Sequence, residues 1–362
     1  MTEKQLIWDD PVIREERNEL FRRRLPWEEL IDRRILVTGA TGMLASFLAG
    51  MLIYLNKEHG YGMRLVLLAR SREKLVNRFG NESEEVRFLV QDVCDRIVTA
   101  GELDFIIHAA GAANPQSIVS DPVGIVRANT LGTMNVLELA RKSGMPAVLF
   151  TSTREVYGMV EGRERISEND MGITDPLDSR SCYPESKRLA ETMLASYALQ
   201  YGVPFNTLRI AHVYGPGMQI HNDNRVMADF LRDAVEKRDI TLNSDGSAIR
   251  SFCYITDAAD AIFRVMTGGA NGEAYNIANE NEPVSVRELA HTIQDLAGNG
   301  KRILIKGGAV PGAGYARYER VALDTSKISA LGWEPVVSLR QGIARTLQHL
   351  EYREAGKKGH QS

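Results

Sequence analysis

Ile35-Leu36-Val37-Thr38-Gly39-Ala40-Thr41-Gly42-Met43-Leu44-Ala45 decides the fold. Ile35 to Thr38 reads as a short buried strand, and an apolar helix follows to about Leu55. Between them Gly39 permits a tight turn, Gly42 lets the backbone approach a diphosphate, and Ala45 permits close packing of helix on sheet. The helix start offers unpaired N–H groups and the positive end of a dipole to phosphates. The stretch therefore predicts a dinucleotide seat built from Gly39, Thr41, Gly42, Met43 and Leu44.

Working outward, Leu65–Leu68, Arg87–Val90 and Phe105–His108 read as the next three strands, with helical patterns between them, notably Val123 to Lys142. Such alternation predicts an α/β protein with a doubly wound parallel sheet. Ala109-Ala110-Gly111 ends the fourth strand. Asp92, followed by Val93, ends the third, where a carboxylate can accept from an adenine amino group or cap a helix. The end of the second strand sets cofactor choice. An acid there favours NAD, but this chain has Ala69-Arg70-Ser71-Arg72. Those cations can hold the 2′-phosphate of NADP, stack on adenine or face solvent, so both cofactors stay open.

Bulk properties narrow the class. The 362 residues carry a formal net charge of -3, which gives no reason to expect a nucleic-acid or anionic-membrane partner. Cys94, Cys182 and Cys253 are far apart and in no metal-ligand spacing, as expected of reduced thiols in the cytoplasm with no metal site. The longest apolar stretch, Leu44 to Leu55, is too short to span a bilayer. The charged N-terminus does not read as a secretory signal.

Ala147-Val148-Leu149-Phe150 leads straight into Thr151-Ser152-Thr153-Arg154-Glu155-Val156-Tyr157-Gly158, the C-terminal end of a further buried strand. Ligands bind at that edge of an open α/β sheet. Tyr183 and Lys187 lie one helical turn apart and share a face. An ammonium near a phenol favours the phenolate, which can take a proton from a carbinol as its carbon gives up hydride. Thr153 can hydrogen-bond the same hydroxyl. Glu155 can move a proton on the neighbouring carbon.

The glycine turn, Asp92-Val93, His108-Ala109-Ala110-Gly111, Asn129, Thr151-Ser152-Thr153 and Tyr183-Pro184-Glu185-Ser186-Lys187 occur in one order. Arg209 to Pro216, Arg250 to Asp257 and Leu331-Gly332-Trp333-Glu334-Pro335 follow. In combination they resemble the extended short-chain dehydrogenase/reductase family, in particular its sugar-nucleotide epimerases, dehydratases and decarboxylases. The resemblance covers roughly Arg34 to His349. It implies a Rossmann-type sheet with a smaller C-terminal substrate lobe, a tightly bound and recycled NAD or NADP, and a nucleotide-diphosphate sugar as substrate. It also implies catalysis by Thr153, Glu155, Tyr183 and Lys187 through a 4-keto intermediate, and a homodimer. The family's 4,6-dehydratases place an Asp-Glu pair after the threonine, the Asp serving as acid for departing water. Arg154 stands there, and a guanidinium is a poor acid. UDP-glucuronate decarboxylases keep the glutamate and need no such acid, so decarboxylation is the first expectation. Dehydration or epimerisation is the second. A dinucleotide-binding regulatory protein without turnover is an alternative of another class.

Arg154 can hold a substrate carboxylate or phosphate, or be a surface cation. Arg250 and Arg320 match family arginines that contact the diphosphate; for Arg320 a surface salt bridge is the alternative. Asn129, Arg225 and His212, the last also readable as a packed loop histidine, complete the substrate set. The expected organisation is a helical extension over 1–33, the cofactor domain over 34–210, a mainly substrate lobe over 211–350 with segments returning to the sheet, and a flexible tail over 351–362. A strand is expected over Arg250–Ile255, with Asp257 capping a helix from Ala258 to Met266.

Overall fold

The chain, seen in a computed structural model, is described over residues 10–306 and 321–358. Its centre is a sheet of seven parallel strands: β1 (Arg34–Thr38), β2 (Arg64–Ala69), β3 (Val86–Val90), β4 (Phe105–His108), β5 (Ala147–Thr153), β6 (Phe205–Ile210) and β7 (Glu273–Ile277). Their spatial order is β7-β6-β5-β4-β1-β2-β3. The order reverses at β1 and β4, so a crevice opens there at the C-terminal ends of the strands. Ile35, Leu36, Val37, Ile106, Ile107, Val148 and Phe150 are fully buried, because both faces of a parallel sheet are covered by helices.

Helix α1 (Pro11–Arg22) is capped by Asp10, whose carboxylate accepts the Val12 N–H at 2.8 Å. Helix α2 (Met43–His59) follows the glycine turn and ends at left-handed Gly60. Helices α3 (Pro122–Lys142) and α4 (Cys182–Tyr201) pack side by side against the sheet. Helix α5 (Ile255–Gly268) is buried along most of its length, and α6 (Leu339–Lys358) ends the described chain.

The N-terminal helix is built into the fold. It packs on α5 and α6 and buries Ile13 and Leu20. Behind it Arg23 donates to Asp257 at 2.7 Å and to Thr256 at 3.2 Å. Buried Glu16 accepts from the Tyr254 hydroxyl at 2.7 Å, and burial pushes its carboxyl up to about 7. His349 joins both chain ends: Gly217 N–H donates to its Nε2 at 3.0 Å, so its Nδ1–H donates to Asp10 at 2.7 Å.

Three local expectations are corrected. Arg250–Ile255 is not one strand but two short ones, Ile249–Arg250 and Cys253–Tyr254, each paired elsewhere, with α5 starting at Ile255. Asp257 is not a cap. It lies inside the first turn of α5, held by Arg23 and by the Val337 N–H at 3.1 Å, while Trp333 donates to its carbonyl at 2.8 Å. The expected tail from 351 is helical through Lys358; residues 359–362 lie outside the described residues.

Candidate active site

The crevice begins at Gly39. Its φ of +65° is left-handed, and a Cβ there would stand 2.6 Å from the Ala109 carbonyl oxygen and 2.8 Å from the Ala110 Cα. The turn after β1 therefore nests directly against the turn after β4. Thr38 locks the two together, its hydroxyl accepting from the N–H groups of Ala109 and Ala110 at 3.2 Å each. The same hydroxyl then has its proton for His108 Nδ1, 2.8 Å away. Thr133 donates to the Asn129 carbonyl at 2.6 Å, so it accepts from His108 Nε2–H at 3.1 Å. This chain fixes the tautomer of His108. Burial, helped by the charge of Lys187, holds that imidazole neutral, pushed down to about 3.

Helix α2 opens at extended Gly42 with no side chain capping it. Its first N–H groups thus face the crevice, flanked by half-buried Thr41, Met43 and Leu44. A glycine cradle, an uncapped helix start and the backbone at Ala109-Ala110-Gly111 fit a dinucleotide diphosphate. Farther along the edge Asp92 accepts the Cys94 N–H at 2.9 Å, a turn-capping bond, and lies 3.9 Å from exposed Arg70. Val93 faces inward: a Cβ on Gly132 would stand 2.8 Å from its Cγ1, and its carbonyl accepts from Asn135 at 3.1 Å.

The reacting groups gather where β5 ends. Thr153 accepts the Glu155 N–H at 3.2 Å and starts a single helical turn, Arg154–Tyr157. The Thr153 side chain lies close enough to the Tyr183 phenol to favour its charged form against burial. Lys187 Nζ donates to the Thr151 carbonyl at 2.7 Å and sits 4.4 Å over the Phe150 ring. Glu155 Oε2 lies 2.6 Å from Arg180 Nη2. The four residues expected to be catalytic therefore share one corner of the crevice.

Their electrostatics differ from expectation. The Tyr183 phenol is not lowered but pushed up, first by burial and then by the Glu155 carboxylate; Thr153, Arg225 and Arg180 pull the other way. Lys187 is itself driven down to about 7 by burial. A buried ammonium prefers to shed its charge, so by itself the corner stores its proton on the phenol.

The substrate set disperses. Arg154 donates to the Val321 carbonyl at 3.1 Å. Arg225 grips Asp223 through Nε at 2.6 Å and Nη2 at 2.7 Å, yet acts on the Tyr183 phenol. Arg250 bonds the Ile249 carbonyl at 2.7 Å on its short strand. His212 is exposed and left-handed at φ +42°, its ring 5.8 Å from Phe252. Asn129 is fully buried and donates to the Ser186 hydroxyl at 2.9 Å, while its Oδ1, on the side of Gly111, has no hydrogen-bond partner among the described residues. Arg320 lies outside the described residues.

Two features escaped sequence reading. One is Arg180, whose only sequence signal was a cation just ahead of Tyr183. The other is the buried network of Arg209, signalled by a charge inside a strand. Arg209 takes both Glu191 oxygens at 3.2 and 2.7 Å and the Tyr157 hydroxyl at 3.1 Å, while Ser152 donates to Glu191 at 2.5 Å. This network fixes β5, β6 and the turn carrying Glu155. Among the described residues no group of three or more His, Cys, Asp and Glu could hold a metal ion, and no helix is long and apolar enough to cross a membrane.

The crevice and its Thr-Tyr-Lys corner define a dinucleotide-dependent enzyme of α/β fold. The chain belongs to the NAD dependent epimerase/dehydratase family, whose sequence model matches residues 35–278. It is 33% identical over 314 residues to UDP-glucuronic acid decarboxylase 3 of Arabidopsis thaliana, covering 86% of this chain and 87% of that one. It is 32% identical over 320 residues to UDP-glucuronic acid decarboxylase 1 of Xenopus tropicalis, covering 88% and 72%. Its structure is similar to a UDP-glucose 4-epimerase of Thermotoga maritima determined with UDP-glucose (TM-score 0.74, 25% identity, 89% and 99% covered). It is likewise similar to a dTDP-glucose 4,6-dehydratase of Streptomyces venezuelae determined with NAD (TM-score 0.72, 25% identity, 89% and 97% covered).

Proposed function

We propose that this chain decarboxylates a nucleoside-diphosphate uronic acid, UDP-glucuronate first, through a 4-keto intermediate. The observation that carries the reading is the end of β5. Thr153 and Glu155 both act on the Tyr183 phenol, while Arg154, in the position of a dehydratase acid, donates to the Val321 carbonyl. The site thus keeps the carbon base and lacks the expected acid for departing water. The names of the relatives support the same reading.

Thr153 orients the C4 hydroxyl and Tyr183 takes its proton as the C4 hydrogen leaves as hydride. Gly39–Leu44, Asp92 and Ala109–Gly111 would hold NAD, which would supply the hydride acceptor. The 4-ketone makes the C5 carboxylate a β-keto acid. The bond from C5 to that carboxylate breaks, its electron pair moves onto the C4 carbonyl, and C5 takes a proton passed by Glu155 from solvent. Hydride returns to C4 and Tyr183 gives its proton back. Uronate plus one proton becomes pentose plus carbon dioxide, with the cofactor unchanged.

NAD is favoured over NADP because Arg70 faces Asp92 and Arg72 is paired with Glu82 at 2.5 Å, so the cations after β2 already have counter-charges. Val123, Val126, Leu131 and Met134 on α3, with Leu189 and Leu199 on α4, are exposed apolar residues on paired helices, which supports a homodimer. A monomer in light scattering would end that reading. Cys94, Cys182 and Cys253 are free, as a cytoplasmic protein needs.

A panel of nucleotide sugars, with products read by mass, tests the reaction. Loss of carbon dioxide supports it. Loss of water assigns a dehydratase, and unchanged mass with altered proton couplings an epimerase. Bound dinucleotide without any turnover assigns the regulatory class.

A further inference from the structure

Arg180 and Glu155 form an ion pair at 2.6 Å with side chains 15% and 22% exposed, so the pair is sheltered from solvent. Both charges act on the Tyr183 phenol, Glu155 raising it and Arg180 lowering it. The guanidinium is well placed by its backbone. It rides on the short turn Ser179–Ser181, where Asp178 accepts the Arg180 N–H at 2.9 Å and Ser181 donates to the Asp175 carbonyl at 2.6 Å. That turn runs directly into α4, which carries Tyr183 and Lys187.

Glu155 meets Arg180 through a single contact of Oε2 with Nη2. A second carboxylate that offered the guanidinium a two-pronged contact would displace Glu155. We infer that Arg180 recognises the sugar carboxylate, and that Glu155 occupies its place until substrate arrives. This rests on the decarboxylase reading. The uronate carboxyl hangs on C5, next to the C4 whose hydroxyl must reach Tyr183, so its counter-charge must lie within reach of that phenol, as Arg180 does. Exchange of Arg180 from Glu155 to the uronate frees Glu155 for its proton. Departing carbon dioxide is neutral, so Arg180 then returns to Glu155. A neutral hexose cannot make the exchange and leaves the base masked.

The test uses NAD-loaded enzyme in a Tyr183→Phe background, which blocks turnover, and calorimetric affinities for UDP, UDP-glucose and UDP-glucuronate. Adding Arg180→Met is expected to weaken UDP-glucuronate by at least about tenfold while UDP and UDP-glucose hold within about twofold. Arg180→Lys should restore part of the loss. Adding Glu155→Gln should tighten UDP-glucuronate alone, because the internal competitor is gone. Equal weakening of all three ligands by Arg180→Met, or no change with any, overturns the inference. If Arg180→Met does not fold, the Arg180→Lys and Glu155→Gln arms decide by the same selectivity. Wild-type turnover separates the two readings. Carbon dioxide release with no Arg180 selectivity sinks this inference alone. Arg180-dependent uronate binding without carbon dioxide release sinks the reaction and leaves Arg180 as the uronate anchor.

Discussion

Lys187 Nζ donates to the Thr151 carbonyl at 2.7 Å, so the ammonium itself ties the tyrosine helix to the end of β5. That bond is made in a fully buried place, and burial lowers the group from 10.5 to about 7. The charge therefore works against stability while it supports position. Between about pH 7 and 10.5 the unfolded chain binds this proton and the folded chain does not, so stability contributed here rises with pH across that window.

Lys187→Met keeps the length and removes the charge. It is expected to abolish turnover. Its thermal midpoint relative to wild type should be highest near pH 6.5 and should lose that advantage as pH rises to 9.5, at up to about 1.4 kcal/mol per unit. Melting curves at several pH values check this, and a constant difference between the two proteins contradicts it.

Gly39→Ala places a Cβ against the Ala109 carbonyl in a left-handed backbone. The backbone alone costs about 1 kcal/mol or more, and the clash must push apart the turns that form the dinucleotide seat. The variant should melt lower than wild type and purify without bound dinucleotide. Retention of cofactor at wild-type occupancy would show that the turn is not its seat.

Arg23→Met tests whether the N-terminal helix belongs to the fold. It strips the fully buried Asp257 of its guanidinium partner and leaves it chiefly the Val337 N–H. Breaking a buried pair from one side costs about 3 kcal/mol or more. Denaturant unfolding should show that loss; a change under about 1 kcal/mol would place the pair with weak surface contacts.

The sheet was legible because buried parallel strands read as apolar runs ending in glycine, and Ile35–Thr38 and Phe105–His108 are such runs. The catalytic corner was legible through the order of its motifs. What failed was what distant residues decide. Asp257 had the local preference of a cap, but Arg23 claims its side chain from 234 positions away. Lys187 beside Tyr183 announced an attraction, whereas the burial that outweighs it is a property of the packed helices. Arg154 read as a substrate contact or a surface cation, and its bond to the Val321 carbonyl could not be seen in the sequence. Glu155 and Arg180 meet because β5 and α4 are neighbours, and no periodicity links them.

Turnover of UDP-glucuronate by the NAD-loaded wild-type enzyme in deuterated water tests the central claim most directly. The account predicts a pentose product lighter by one carbon dioxide, with one deuterium at C5 and ordinary hydrogen at C4. A product that retains the carboxylate, or one lighter by water, would contradict it.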